Sequence, residues 1–180
     1  MLLEITMNTL LKILKKEFLP ISLIFILTLA RLIPHPWNFT PVLAVAVFSG
    51  FYFKQFYFSL FLVMFSMFIG DIFLGFHSTM LFTYLSLVVA VLIGAYLKKF
   101  ELLEILLSGF GSSITFFIIT NFGSWLTLDI YEKNLSGLMQ SYVLGIPFFH
   151  NTIISTLLYL IVLKLLFDLG KKKRIFNTSY

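Results

Sequence analysis

The groups with which this chain could do chemistry are few: Asn38, Asp71, His77, Asn121, Trp125, His150 and Asn151. Amides donate and accept at once, a carboxylate accepts or carries a proton, imidazoles do both, and an indole offers a flat face with one N–H. Such a set suits noncovalent capture of a small polar or aromatic molecule. Catalysis is poorly served. The 180 residues include no cysteine, which excludes thiolate nucleophiles, disulfides and iron–sulfur ligation. No two of His35, His77 and His150 have the i, i+4 spacing of a helical metal motif. A Gly-x-x-x-x-Gly-Lys phosphate loop is also lacking. The expectation is a binding protein that is not an enzyme and carries neither metal nor cofactor.

Local spacing suggests how these groups come together. Asp71-Ile-Phe-Leu-Gly75-Phe-His77 ends an apolar run with a carboxylate, a helix-ending glycine and an imidazole. Asp71 either accepts a hydrogen bond from a ligand, holds a proton, or pairs with Arg31. Phe117, Asn121 and Trp125 are four apart and share one helical face; an Asn there serves a ligand or an interhelical hydrogen bond. In Gly145-Ile-Pro147-Phe-Phe-His150-Asn151, the proline removes a backbone hydrogen bond and predicts a kink. That kink aims His150 and Asn151 inward, with Ser155 and Tyr159 continuing the polar face, or leaves His150 as a packing residue. Between Arg31 and Pro41 three prolines, Pro34, Pro36 and Pro41, forbid a continuous helix. This loop either caps a cavity or forms an interfacial turn anchored by Trp37.

What must position these groups is set by solvent. The chain is 59% apolar, 18% aromatic and 12% charged, with 23 Phe; soluble domains hold about 45–50% apolar and about 25% charged residues. The main solvent is therefore lipid. Six apolar runs are predicted to span, over 18–33, 38–53, 56–75, 80–97, 105–126 and 139–167, as a single all-α transmembrane domain covering 1–180. Between the second and third, Lys54 and Gln55 mark a hairpin, since one helix from Val42 to Ile69 would exceed a hydrocarbon core of roughly 30 Å.

Charge gives the orientation. With both termini cytoplasmic, Lys12, Lys15, Lys16, Lys54, Lys98, Lys99, Lys164, Lys171, Lys172, Lys173 and Arg174 face inward, against Arg31 and Lys133 outward. The six-helix bundle then sits in the inner membrane, with its polar groups gathered on the outer side. The net charge of +5 lies at helix ends rather than in a basic stripe, so nucleic acid is not an expected partner. The start also reads as a signal peptide, with small residues Thr28 and Ala30 at a cleavage point, which would leave five spans.

Four motifs carry a resemblance: Arg31-Leu-Ile-Pro-His-Pro-Trp-Asn-Phe-Thr-Pro-Val-Leu-Ala44, Asp71 to His77, Gly111 to Trp125, and Gly145-Ile-Pro-Phe-Phe-His-Asn-Thr152. Over roughly residues 28–160 the chain resembles an uncharacterised bacterial integral-membrane family, a domain of unknown function described as transport proteins. That family is distantly similar to the S components of energy-coupling-factor transporters. The second likeness implies capture of a micronutrient from outside and docking on a membrane coupling subunit with ATPases, commonly through an Ala-x-x-x-Ala surface in the first span. The nearest small pair here is Ala46 and Gly50, in the second predicted span. The expected function is transport of a small polar or aromatic micronutrient; the alternative is a noncatalytic structural subunit of a larger membrane complex.

Overall fold

Each apolar run stops where a proline, a glycine or a polar pair makes a further helical turn unfavourable. The structure, a computed structural model, describes residues 17–18 and 20–172. The calls on Lys12, Lys15, Lys16, Lys173 and Arg174 lie outside them. Among the described residues six helices result: α1 Pro20–Leu32, which ends in the 3-10 turn Ala30–Leu32, α2 Val42–Phe53, α3 Phe56–Leu74, α4 Met80–Tyr96, α5 Leu102–Thr127 and α6 Leu135–Lys172. No strand occurs among the described residues. By length and composition α3, α5 and α6 suffice to cross a membrane; α1, α2 and α4 are shorter apolar helices.

The hairpin falls where Lys54 and Gln55 predict it. Lys54 takes a left-handed conformation at φ 55°, ending α2, and α3 begins two residues later. Its ammonium donates to the Leu97 carbonyl at the end of α4 and lies 4.7 Å from the Phe51 ring centre, so the hairpin is tied to the α4 terminus. Burial lowers the Lys54 pKa below that of a free lysine, with nearby Glu104 pulling it back up.

The architecture departs from the sequence reading at α2. The expected span over 38–53 becomes a helix of only 12 residues, buried from Val42 to Tyr52 and packed against α3, α4, α5 and α6. At 1.5 Å per residue it is about 18 Å long, and the 19-residue α3 is about 28 Å. The proline-rich segment stays exposed from Leu32 to Asn38, and the chain enters the bundle only over Phe39 to Pro41 to meet the start of α2.

Close approach fixes α2 on α4. A Cβ on Gly50 would lie 2.1 Å from the Val91 carbonyl oxygen, and one on Gly94 would lie 2.0 Å from that of Val47. Both contacts are with backbone, which has no rotamer to move aside. Ala46 is fully buried in the same core. The Ala46 and Gly50 pair is thus used inside the bundle and offers no surface to a partner.

Further packing closes the other seams. Ser49 and Ser59 exchange hydroxyl-to-carbonyl hydrogen bonds at 3.4 and 3.0 Å, joining α2 to α3. Ile24 of α1 packs in a buried cluster with Val45 and Leu62, and Thr28 is fully buried. Cleavage after Ala30 would uncover Val45 and Leu62, so α1 belongs to the core. Near the hairpin end Phe48, Phe51, Phe100 and Phe167 interlock, with ring centres 4.8 Å apart for Phe51 and Phe100 and 5.7 Å for Phe51 and Phe167. They form an aromatic plug.

Candidate functional site

At the end of the bundle opposite the plug, helices α1, α3 and α5 finish and α2, α4 and α6 begin. Because α2 starts low, roughly 10 Å of bundle length above it is left without a central helix. A cavity of about 1090 Å³ occupies this space, bordered by the loop at Pro34, His35, Trp37 and Asn38 and floored by Val42 and Leu43. Pockets of this order hold drug-sized molecules. Irregular backbone at membrane depth is tolerated where it lines such a cavity.

The loop is held over the cavity by α6. Asn151 donates from Nδ2 to the Trp37 carbonyl at 2.9 Å, and the Ser155 hydroxyl, 3.1 Å from the Thr152 carbonyl one turn back, is also 3.4 Å from that of Asn38. Asn38 itself adopts φ 59°, a left-handed turn that Asn tolerates better than most residues. The His35 ring nitrogens lie 2.8 Å from the Pro36 carbonyl and 3.1 Å from that of Arg31. Trp37 meets Phe148 edge to face at 6.5 Å.

Of the seven residues singled out from the sequence, Asn38, His77 and Asn121 are on the cavity wall. His77 sits at the exposed rim, its Nδ1 2.9 Å from the Thr79 hydroxyl. Asn121 donates to the Phe117 carbonyl one turn back, and its Oδ1 fills the space that a Gly145 side chain would occupy. The amide thus reaches α6 because residue 145 has no Cβ.

The other four are placed elsewhere. Asp71 is fully buried behind the wall: Arg31 donates to Oδ1 at 2.5 Å and the Tyr84 hydroxyl to Oδ2 at 2.7 Å. Both carboxylate oxygens are engaged, as the pairing alternative anticipates, and it is Arg31 that reaches the cavity. Trp125 donates its indole N–H to the Glu132 carbonyl at 2.9 Å, tying down the α5–α6 connection. His150 is exposed and off the wall. Asn151 anchors the loop instead of lining the space beneath it. Pro147 lies inside an α6 that continues as one helix to Lys172.

Helical geometry accounts for these departures. Each step of four residues overshoots a full turn by about 40°, so Trp125 is about 80° around α5 from Phe117. His150 is about 200° from Thr152, which is on the wall. Several wall residues escaped the sequence reading as site residues: Arg31, Thr120, Ser124, Thr152 and Thr156. Thr120 with Ser124, and Thr152 with Thr156, have the spacing of one helical face, a signal hidden by the number of Ser and Thr in these helices. Among the described residues no three His, Cys, Asp or Glu side chains gather as metal ligands.

An all-helical bundle with three helices long and apolar enough to cross a bilayer, around a polar-rimmed cavity, has the construction of a membrane protein. The chain belongs to DUF6580, a family of unknown function, whose model matches residues 12–177. This fits the uncharacterised family that the four motifs resemble. No curated protein and no solved structure matches the chain.

Proposed function

We propose that this protein is a multi-pass import protein of the inner membrane, binding a small polar or aromatic micronutrient from outside in the cavity beneath the proline-rich loop. All six helices cross the bilayer as a single domain in this reading, with both termini cytoplasmic. The observation that carries it is the cavity itself: about 1090 Å³ between the loop and the start of α2, at the opposite end from the aromatic plug. A space open at one end and closed at the other is what alternating access requires of a resting carrier. The plug of Phe48, Phe51, Phe100 and Phe167 would have to part for inward release. No catalysis and no cofactor enter this reading.

Charge supports the orientation. Among the described residues the basic groups around the cavity end are Arg31 and Lys133, whereas Lys54, Lys98, Lys99, Lys164, Lys171 and Lys172 lie towards the other end. Coupling to an ATPase-bearing membrane subunit, as in energy-coupling-factor importers, would need a docking face other than Ala46 and Gly50, since both are buried against α4.

The chain has no cysteine of its own, so single introduced thiols report accessibility cleanly. In intact cells, Ser124→Cys, on the cavity wall, is expected to react with a membrane-impermeant maleimide added outside, and Lys98→Cys only after the cells are opened. Reaction of Ser124→Cys only in opened cells would reverse the orientation and end the import reading.

A further inference from the structure

We propose that Arg31 is the ligand-binding cation of the cavity, engaging a carboxylate or comparable anionic oxygen group, so that the molecules taken up are small organic acids. This rests on the small-molecule reading of the cavity and names both the chemical class that it takes and the side chain that takes it.

The donors of Arg31 are only partly used by the protein. A guanidinium carries five N–H bonds and accepts none. Nη2 donates to Asp71 Oδ1 at 2.5 Å, and Nη1 meets the Met67 sulfur at 2.9 Å. A thioether is a weak acceptor, so a ligand oxygen can take its place on Nη1. The Asp71 contact uses one carboxylate oxygen only, because the other accepts from the Tyr84 hydroxyl at 2.7 Å. The two-bond fork that arginine makes with carboxylates is therefore still open. Nε donates to no protein group and is not sealed from the accessible surface.

The open edge is at the cavity. Arg31 and Met67 are both on its wall, and the Arg31 side chain keeps 13% of its surface accessible. The stem lies along α3, where a Cβ on Gly70 would come within 3.6 Å of Cδ and 3.8 Å of Nε. Asp71, fully buried, stands behind. Asp71 and Tyr84 are thus positioning residues: they hold the guanidinium in place and supply the counter-charge that a cation at membrane depth needs.

The rest of the wall selects the remainder of the molecule. Among the described residues no Lys, Asp or Glu joins Arg31 there, so the one permanent charge that a ligand meets is positive. An oxygen on the open edge is nearer to the guanidinium than to Asp71 behind it, and attraction falls with distance. On α5 and α6 the hydroxyls of Thr120, Ser124 and Thr152 donate to the carbonyls of Phe116, Thr120 and Phe148. Their free lone pairs accept, which favours a ligand N–H or O–H on that side. Phe117, Phe148 and Phe149 supply apolar surface between. An organic acid whose ring carries a hydrogen-bond donor meets all three demands.

Three probes of closely similar shape separate charge from size: indole-3-acetate, indole-3-acetamide and tryptamine, titrated calorimetrically into the full chain in lipid nanodiscs, with empty nanodiscs as blank. Indole-3-acetate is expected to bind about tenfold more tightly than the amide, with tryptamine weakest. Asp71→Asn releases the guanidinium from its counter-charge and should tighten indole-3-acetate about fivefold while leaving the amide nearly unchanged, a gain that a purely structural pair would not give. Arg31→Met combined with Asp71→Leu removes both charges and should abolish the preference for the acid; a melting curve on the same sample shows that it is folded. Amide or amine binding as tight as the acid in the wild type would overturn the organic-acid class while leaving the cavity a ligand site. Acid-selective binding unchanged in Asp71→Asn would move the anion away from Arg31 and overturn the assignment, whether or not the double variant folds. Binding of all three probes no better than to empty nanodiscs would overturn the cavity reading itself.

Discussion

Alanine at position 94 is expected to leave little folded protein. The added Cβ would sit 2.0 Å from the Val47 carbonyl oxygen and 2.8 Å from its carbon, both backbone atoms of the central helix. Relief requires moving α4 off α2, and α2 is held on its other sides by α3, α5 and α6. Overpacking against movable side chains costs about 1–3 kcal/mol; a rigid helix–helix contact belongs at or beyond the upper end, so about 3 kcal/mol or more is expected. Gly50→Ala, 2.1 Å from the Val91 carbonyl, should behave alike. Gly111→Ala is the control, since nothing lies within 4 Å and alanine favours helix by about 1 kcal/mol. Thermal unfolding in detergent gives the comparison. Wild-type melting of both Gly50→Ala and Gly94→Ala would show that the α2–α4 contact is looser than described.

Breaking the Arg31–Asp71 pair from the basic side should be the other large effect. Arg31→Met leaves a fully buried carboxylate with only the Tyr84 hydroxyl, and stranding one partner of a buried pair costs about 3–5 kcal/mol. Asp71→Asn keeps an oxygen for Tyr84 and leaves Arg31, 13% exposed, with the cavity to face; about 1–2 kcal/mol is expected. The order of the two is the diagnostic. Arg31→Met combined with Asp71→Leu should regain much of the loss, because no buried charge remains. Equal, small effects of the two single changes would mean that Asp71 is not held as a buried carboxylate.

Much of this architecture is legible in the sequence for definite reasons. Pro, Gly and polar pairs interrupt apolar runs sharply, so four of the six described helices fall within three residues of their expected bounds, while α2 starts four residues late and α6 runs past both of its bounds. Lys54 with Gln55 locates the hairpin, and Gly75, at φ 89°, ends α3 with its N–H on the Asp71 carbonyl at 2.8 Å. The pairing of Arg31 with Asp71 could be named because unpaired charge is costly at membrane depth.

The central position of α2 was not legible. A helix buried among other helices and one facing lipid are both uniformly apolar, and Val42–Phe53 has no polar side to distinguish them. Its shortness, which creates the cavity, depends on where the chain turns inward after the exposed proline loop, over Phe39 to Pro41. Side-chain direction also decides membership of the site: Asn121 reaches the wall and Trp125, one turn on, does not.

The claim that the cavity binds a small molecule is tested most directly by native mass spectrometry of the gently solubilised full chain, with release and identification of what it carries. The account predicts a single small molecule of a few hundred daltons on the protein, lost from the Asn121→Ala variant while that variant still folds. Adducts identical in the two proteins, or a bare chain held in a stable assembly with other membrane proteins, would contradict it and favour a structural subunit.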